Sequence, residues 1–236
     1  MLIVLPPSET KAPGGETDPM EVSFPTLDPI RTSLLDDLAA LPVDDMMTAL
    51  KLPASKRREA GENAALRGAP VMPAIHRYTG VLYDALRADT LPDPALGRLL
   101  IGSALFGLLR ATDTIPRYRL SGSSKLPARD GGVPTMRARW GASISEVLSG
   151  LGFIVDLRSG AYHSLGPVPG AVTVRVETDT DGVRKVVSHF NKQYKGELAR
   201  ALALGPSCSS VSEVAEVARS VGFTVEVSSG QLTLVV

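Results

Sequence analysis

The stretch Arg98–Leu126, RLLIGSALFGLLRATDTIPRYRLSGSSKL, limits the architecture of this chain more than any other. It opens as an apolar run suited to a strand buried on both faces, passes through small residues and Phe106, and breaks at Pro116. Beyond the break it delivers Arg117, Arg119 and Lys125 among Ser and Gly. A buried strand that ends in cations on a Gly/Ser-rich loop calls for a sheet with both faces covered. It also matches how a rigid scaffold presents polar groups to an anion. The competing reading is a core strand followed by a solvated basic loop.

Other segments repeat the pattern. Met1–Leu5 is continuously apolar and is cut by Pro6-Pro7, after which Ser8, Glu9, Thr10 and Lys11 follow at once. Gly152–Leu157 is a second buried strand, running into Asp156, Arg158, Ser159 and Tyr162. Ala171–Thr178 and Arg184–Phe190 alternate at period two around Asp181-Gly182, a hairpin signal. Helical periodicity covers Asp28–Leu66, divided by Pro42 and Pro53, then Pro73–Ala88, Pro134–Leu148, Asn191–Leu204 and Ser212–Val221. Gly80, inside the second of these, points to a close approach or a local break. Phe223–Val227 and Gln231–Val236 pair as a closing hairpin across Ser228-Ser229-Gly230. The expectation is an α/β (α+β mixed) chain: one domain over residues 1–236, a central mixed β-sheet flanked by helices, and a C-terminal β-hairpin. Residues 12–27, rich in Gly, Pro and acid, read as a flexible loop, and 110–139 as a basic insertion lining a cleft.

Charge sharpens the last point. Lysine plus arginine and aspartate plus glutamate both number 25, so the formal net charge is zero, unlike a strongly electrostatic nucleic-acid binder. Yet residues 1–66 carry eleven acidic and six basic side chains, while residues 110–139 carry seven basic and two acidic. A neutral chain with cations gathered in one segment can hold a local positive cleft. Cys208 is the one cysteine, which excludes an internal disulfide and suits a reducing compartment. MLIVL is short for a signal-peptide core, and no stretch approaches the ~20 apolar residues of a membrane span. The chain is expected to be cytoplasmic, with no membrane partner.

Walker A, Rossmann, GxSxG and HExxH motifs are absent, and His76, His163 and His189 lack metal-ligand spacing. Neither a metal nor a cofactor is expected. In an open α/β sheet, ligands gather beyond the carboxyl ends of strands. If the strand ends share one edge, Arg110, Arg117, Arg119, Lys125, Arg158, Lys192 and Lys195 converge on phosphate, arginine as a fork and lysine as a point charge. Thr10, Lys11, Tyr83, Ser159 and Asn191 complete the cleft, with Tyr83, Tyr118, Tyr162 and Phe190 as stacking surfaces. Ser8 or Tyr162 as reacting hydroxyl and Asp156 as acid/base are the catalytic candidates.

The segments MLIVLPPSET, YTGVLYDAL, SALFGLLRATDTIPRYRLSGSSKL, Arg139-Trp140, VDLRSGAYHSL and SHFNKQYKGELARAL together resemble the YaaA family of bacterial peroxide-stress proteins, in a divergent, actinobacterial-like branch. The densest match is Arg110, Asp113, Tyr118, Arg119 and Leu120. The resemblance implies a mixed-sheet α/β protein with a positively charged cleft. It also implies binding of double-stranded or distorted DNA with low sequence specificity, in a peroxide response that limits iron-dependent oxidative damage. Departures are Glu9 where the family shows lysine, and a basic run reduced to Lys192, Lys195 and Gly196. Fewer cations release fewer counterions and weaken DNA binding. The alternative is an enzyme on a small phosphorylated or nucleotide-like substrate in the same cleft.

Overall fold

A computed structural model describes residues 1–158, 160–180, 183–186 and 191–236. β1 (Leu2–Leu5) is central, and Ile3, Val4 and Leu5 are fully buried, as a strand covered on both faces requires. From Asp28 the chain forms α1 (Asp28–Ala40), α2 (Val43–Ala49) and α3 (Arg57–Glu62), separated at Pro42 and Pro53 as expected. Residues 12–27, expected to be a flexible loop, have one short 3-10 turn (Pro25–Leu27) and are tied to the rest of the chain. Glu16 bridges Val71, Glu21 bridges Thr114, and the buried Arg77 donates to the carbonyls of Ala12 and Gly14.

Pro73–Ala88 is not one helix. It comprises β2 (Val71–Pro73), α4 (Ala74–Arg77) and α5 (Val81–Leu86). The break falls at Gly80, whose φ of 103° a side chain would strain, and where the Thr10 and Ser8 hydroxyls approach. After α6 (Asp93–Leu96), the focal stretch also departs from expectation. Its apolar run is a hairpin of β3 (Leu99–Ser103) and β4 (Gly107–Arg110), followed by β5 (Thr114–Pro116). The turn is Ala104-Leu105-Phe106, and the chain leaves it at Gly107 (φ 71°), where a Cβ would sit 2.8 Å from the buried Trp140 ring. Pro134–Leu148 is likewise split, into α7 (Met136–Trp140) and α8 (Ser143–Ser149).

The remaining elements are β6 (Ile154–Asp156), α9 (Gly160–His163), β7 (Val172–Thr180), β8 (Val183–Val186), α10 (Asn191–Leu204), α11 (Val211–Ser220), β9 (Thr224–Ser228) and β10 (Gln231–Val235). The main sheet runs β4-β3-β1-β6-β7-β10-β9, with β8 added to β7. Strands β3, β1, β6, β7 and β10 are mutually parallel, and β4, β8 and β9 are antiparallel additions. This is the expected mixed sheet with a C-terminal hairpin; β2 and β5 form a separate two-stranded ribbon. The expected turn at Asp181-Gly182 lies outside the described residues, as do His189 and Phe190.

Topology locates the site. From β1 the order steps to β3 on one side and β6 on the other, so a crevice opens beyond the carboxyl ends of β1 and β6. Helix α10 begins at this end and runs back along the sheet, packing on α5, β1 and β7, until its last turn meets Arg98 just before β3. Its close fit to α5 requires Gly196: a Cβ there would collide with the Leu82 carbonyl and lie 2.8 Å from the Ala85 Cβ.

Candidate functional site

The crevice holds a cavity of about 460 Å³, within the size range of small-molecule sites. Four segments build it: residues 6–10 after β1, Thr79–Tyr83 at the start of α5, Leu157 and Tyr162 beyond β6, and Asn191, Lys192 and Lys195 on α10. Pro6 and Pro7 end the β1 ladder and turn the chain, presenting Ser8 and Thr10. Their hydroxyls lie 3.0 Å apart, and the Thr10 hydroxyl donates to the Thr79 carbonyl at 3.0 Å. Opposite, Lys192 is exposed at the mouth and Lys195, one turn on, is buried inside. Lys195 Nζ donates to the Leu157 carbonyl at 3.0 Å. Burial pulls its pKa down to about 8, against the opposing attraction of Asp156. Among the described residues, Asn191 Oδ1 is buried without a hydrogen-bond partner. The Tyr162 hydroxyl donates to Glu9 Oε1 at 3.3 Å, and burial raises its pKa well above the ordinary phenol value.

A buried lysine and a set of tyrosines lie beneath this rim. Lys11 Nζ donates to the Ser8 carbonyl at 2.9 Å and sits 4.2 Å from the Tyr118 ring centroid and 5.3 Å from that of Tyr78. Aromatic faces supply part of the charge stabilisation that water would give. Desolvation nevertheless prevails and brings Lys11 down to about 7. Tyr78 and Tyr118 share a hydroxyl contact of 2.7 Å, and Tyr118 a second, of 2.8 Å, with Ser103. Burial pushes Tyr78 up to about 12 and Tyr83 and Tyr118 well above 10. Tyr83, stacked on Tyr78, donates to the Pro6 carbonyl at 2.9 Å. Of these hydroxyls, those of Tyr83 and Tyr162 bond the loop after β1, and both residues face the cavity.

Two expected site residues serve each other instead. Arg158 Nε donates to Asp156 Oδ1 at 2.9 Å, and its Nη2 donates to Oδ2 at 2.8 Å, in a fully buried two-pronged pair. The same Nη2 reaches the Gly166 carbonyl at 2.7 Å. Gly102 on β3 makes room, since a Cβ there would be 2.8 Å from the Arg158 Cδ. With both carboxylate oxygens occupied, Asp156 is not placed as an acid/base, and Arg158 is not free for phosphate.

Four arginines of residues 110–139 are engaged in the same manner. Arg119 pairs with Glu59 through Nε and Nη2 and donates to the Glu9 carbonyl at 2.8 Å; Arg117 reaches Glu59 at 3.1 Å and Glu62 at 3.4 Å. Burial pushes Glu59 up, but hydrogen bonds from Lys56 and Arg119 outweigh it and hold the carboxyl below its ordinary value. Arg139 pairs with the buried Asp37 at 2.7 Å, and Arg129 with Asp36 at 2.7 Å. The acidic α1–α3 region and the basic segment therefore neutralise one another across their mutual contact. Arg110 points elsewhere again. It pairs in register with Leu100, toward the amino end of β3, and lies 5.3 Å over the Phe24 ring. It is at the far end of its strand from the crevice.

Of the expected cleft residues, Ser8, Thr10, Tyr83, Tyr162, Asn191, Lys192 and Lys195 meet in one cavity, with Lys11 beneath. Lys125 is exposed on a loop that approaches the rim, where Gly122 packs against Ala161. Ser159 lies outside the described residues. Residue-by-residue reading missed Glu59 and Glu62 as arginine partners and Ser103 as the anchor of Tyr118. A polar Ser103 closing the apolar run LLIGS was the available signal for the last. Among the described residues no cluster of three His, Cys, Asp or Glu is arranged to hold a metal, and no helix is long and apolar enough to cross a membrane.

Comparison with known proteins places the sequence among relatives over its whole length. Residues 1–228 match the family model described as peroxide stress protein YaaA. A UPF0246 protein of Corynebacterium efficiens is 58% identical over 245 aligned positions, covering 100% of both chains. One from Corynebacterium glutamicum is 55% identical over the same span, again with complete coverage. One from Streptomyces coelicolor is 40% identical over 243 positions, covering 96% of this chain and 92% of the relative.

Proposed function

The chain belongs to the YaaA family of peroxide stress proteins, and from that premise we propose that it acts in the peroxide response by binding a small phosphate-bearing ligand, nucleotide-like in size, in the cavity beyond β1 and β6. One observation carries the reading. Lys195 and Lys192, which bind no carboxylate among the described residues, face the Ser8 and Thr10 hydroxyls across a cavity at the topological switch of the sheet. Ammonium groups and hydroxyls are the donors a phosphate takes, and a desolvated lysine strengthens each such contact. No reaction is assigned to the site.

A second reading is low-specificity binding of double-stranded or distorted DNA in the cytoplasm, limiting iron-dependent damage. It draws on the exposed Lys125 and Lys192 and on the packing of Gly122 against Ala161, which brings their two loops toward one rim. Thermal unfolding with a nucleotide panel, inorganic phosphate, and duplex and bulged DNA over a salt series separates the two. At a ligand concentration a hundredfold above its Kd, a nucleotide is expected to raise Tm by roughly 5–10 °C. Stabilisation by DNA alone, with a steep salt dependence, would overturn the small-ligand reading.

A further inference from the structure

The electrostatic setting of Lys195 singles it out within the cavity. It is 5% exposed yet lines the cavity, and the carboxylate facing it, Asp156, is committed to Arg158 through both oxygens. The groups that face it are Asp156 behind, the Leu157 carbonyl as its hydrogen-bond acceptor, and Lys192, Tyr162 and Glu9 around the cavity. A lysine denied a carboxylate partner and withdrawn from water holds its proton weakly, and its neutral form is a nucleophile.

We propose that Lys195 captures a carbonyl group: the ligand of this cavity is an aldehyde or ketone whose carbonyl carbon forms an imine with Lys195 Nζ. The proposal rests on the phosphate-bearing reading above only for where the rest of the ligand lies: Lys192 and the Ser8 and Thr10 hydroxyls hold its phosphate, and Lys195 is given over to the carbonyl carbon. The amine nitrogen attacks the carbonyl carbon and forms the C–N bond, while the carbonyl oxygen takes up a proton as the nitrogen loses one, giving a carbinolamine. The hydroxyl then takes up a proton and leaves as water as the nitrogen gives up its remaining one, forming C=N with no oxidant or reductant consumed. Tyr162, whose phenol stays protonated, and Glu9, which accepts its hydrogen bond, form a donor–acceptor pair in the same cavity for the proton movements. The lowered pKa of Lys195 leaves a substantial neutral fraction near pH 8, which the capture step needs.

The experiment is reductive trapping on the full chain. The protein is incubated with sub-stoichiometric glyceraldehyde 3-phosphate and borohydride, then mapped by peptide mass spectrometry, with glyceraldehyde as the control lacking phosphate. The expected result is an adduct at Lys195 at least tenfold above that at any exposed lysine, abolished in Lys195→Arg and retained in Arg110→Gln, whose side chain lies over Phe24 away from the cavity. The wild-type map is itself decisive, so the test survives a variant that fails to fold. Label spread over exposed lysines, with none enriched at Lys195, would overturn the proposal. Equal trapping of both aldehydes at Lys195 upholds the imine and removes the phosphate reading. Stabilisation by inorganic phosphate without label at Lys195 does the reverse.

Discussion

The basic segment 110–139 and the pair Lys192/Lys195 carry the same sign of charge and meet opposite fates. Arg117, Arg119, Arg129 and Arg139 close onto Glu59, Glu62, Asp36 and Asp37, so the richest run of cations in the sequence fastens the basic segment to α1–α3. The two lysines of α10 face a cavity in which the nearest buried carboxylate is already held by Arg158. A cation is a candidate for ligand binding when the fold leaves its charge unanswered, not when the sequence crowds it. Arginine, with a rigid fork suited to carboxylates, takes the structural positions here, and lysine, which yields its proton when buried, takes the cavity.

The contrast can be broken most forcefully at Arg158. Replacing it with alanine leaves Asp156 buried and unpaired, for an expected loss of about 4 kcal/mol and a Tm lower by about 10 °C. A variant with wild-type Tm and impaired ligand binding would return Arg158 to the site. The next largest effect belongs to Glu59→Gln, which strips Arg119 of its carboxylate, while Arg117 retains Glu62. About 2 kcal/mol of stability is expected to be lost by denaturant titration. If instead the variant kept its stability and bound duplex DNA more tightly, those arginines would be available cations after all.

A third effect, spread over several pH units, comes from the buried groups. Lys11 near 7 and Lys195 near 8 are both below the unfolded value of 10.5, so between these limits the unfolded chain binds more protons. Stability therefore rises with pH from about 7 to about 10, each lysine contributing a slope on the order of 1 kcal/mol per pH unit. Above pH 10 the direction reverses. Tyr78, Tyr83, Tyr118 and Tyr162 ionise in the unfolded chain and resist ionising in the fold. Urea unfolding between pH 7 and pH 11 should show this maximum, and Lys11→Met should flatten its rising limb. A flat profile in the wild type would mean that neither lysine is desolvated.

Local pattern carried much of this molecule. The apolar runs at Met1–Leu5 and Gly152–Leu157, each stopped by polar residues, marked the two strands whose ends open onto the cavity. The stripe of α10 likewise placed Lys192 and Lys195 on one flank. The hairpin within Leu99–Arg110 was hidden because its turn, Ala104-Leu105-Phe106, is as apolar as its strands and is fully buried. The split at Gly141 was also hidden, since helical period continues across it, although the backbone there takes a φ of 53°. The arginine partners could not be read locally: Glu59 and Arg119 are separated by sixty positions and meet only once α3 packs beside the segment after β5. A pairing of that kind depends on tertiary contact, and charge counts along the chain are blind to it.

The central claim is that the available cations are those of α10. Calorimetric titration with adenosine monophosphate of the wild type, Lys192→Gln and Arg110→Gln measures it directly. Lys192→Gln is expected to weaken binding about tenfold, as loss of one charge-assisted contact near 1.4 kcal/mol implies. Arg110→Gln, at the far end of its strand, is expected to leave affinity unchanged. Equal affinity in the wild type and Lys192→Gln, with binding lost in Arg110→Gln, would contradict the account.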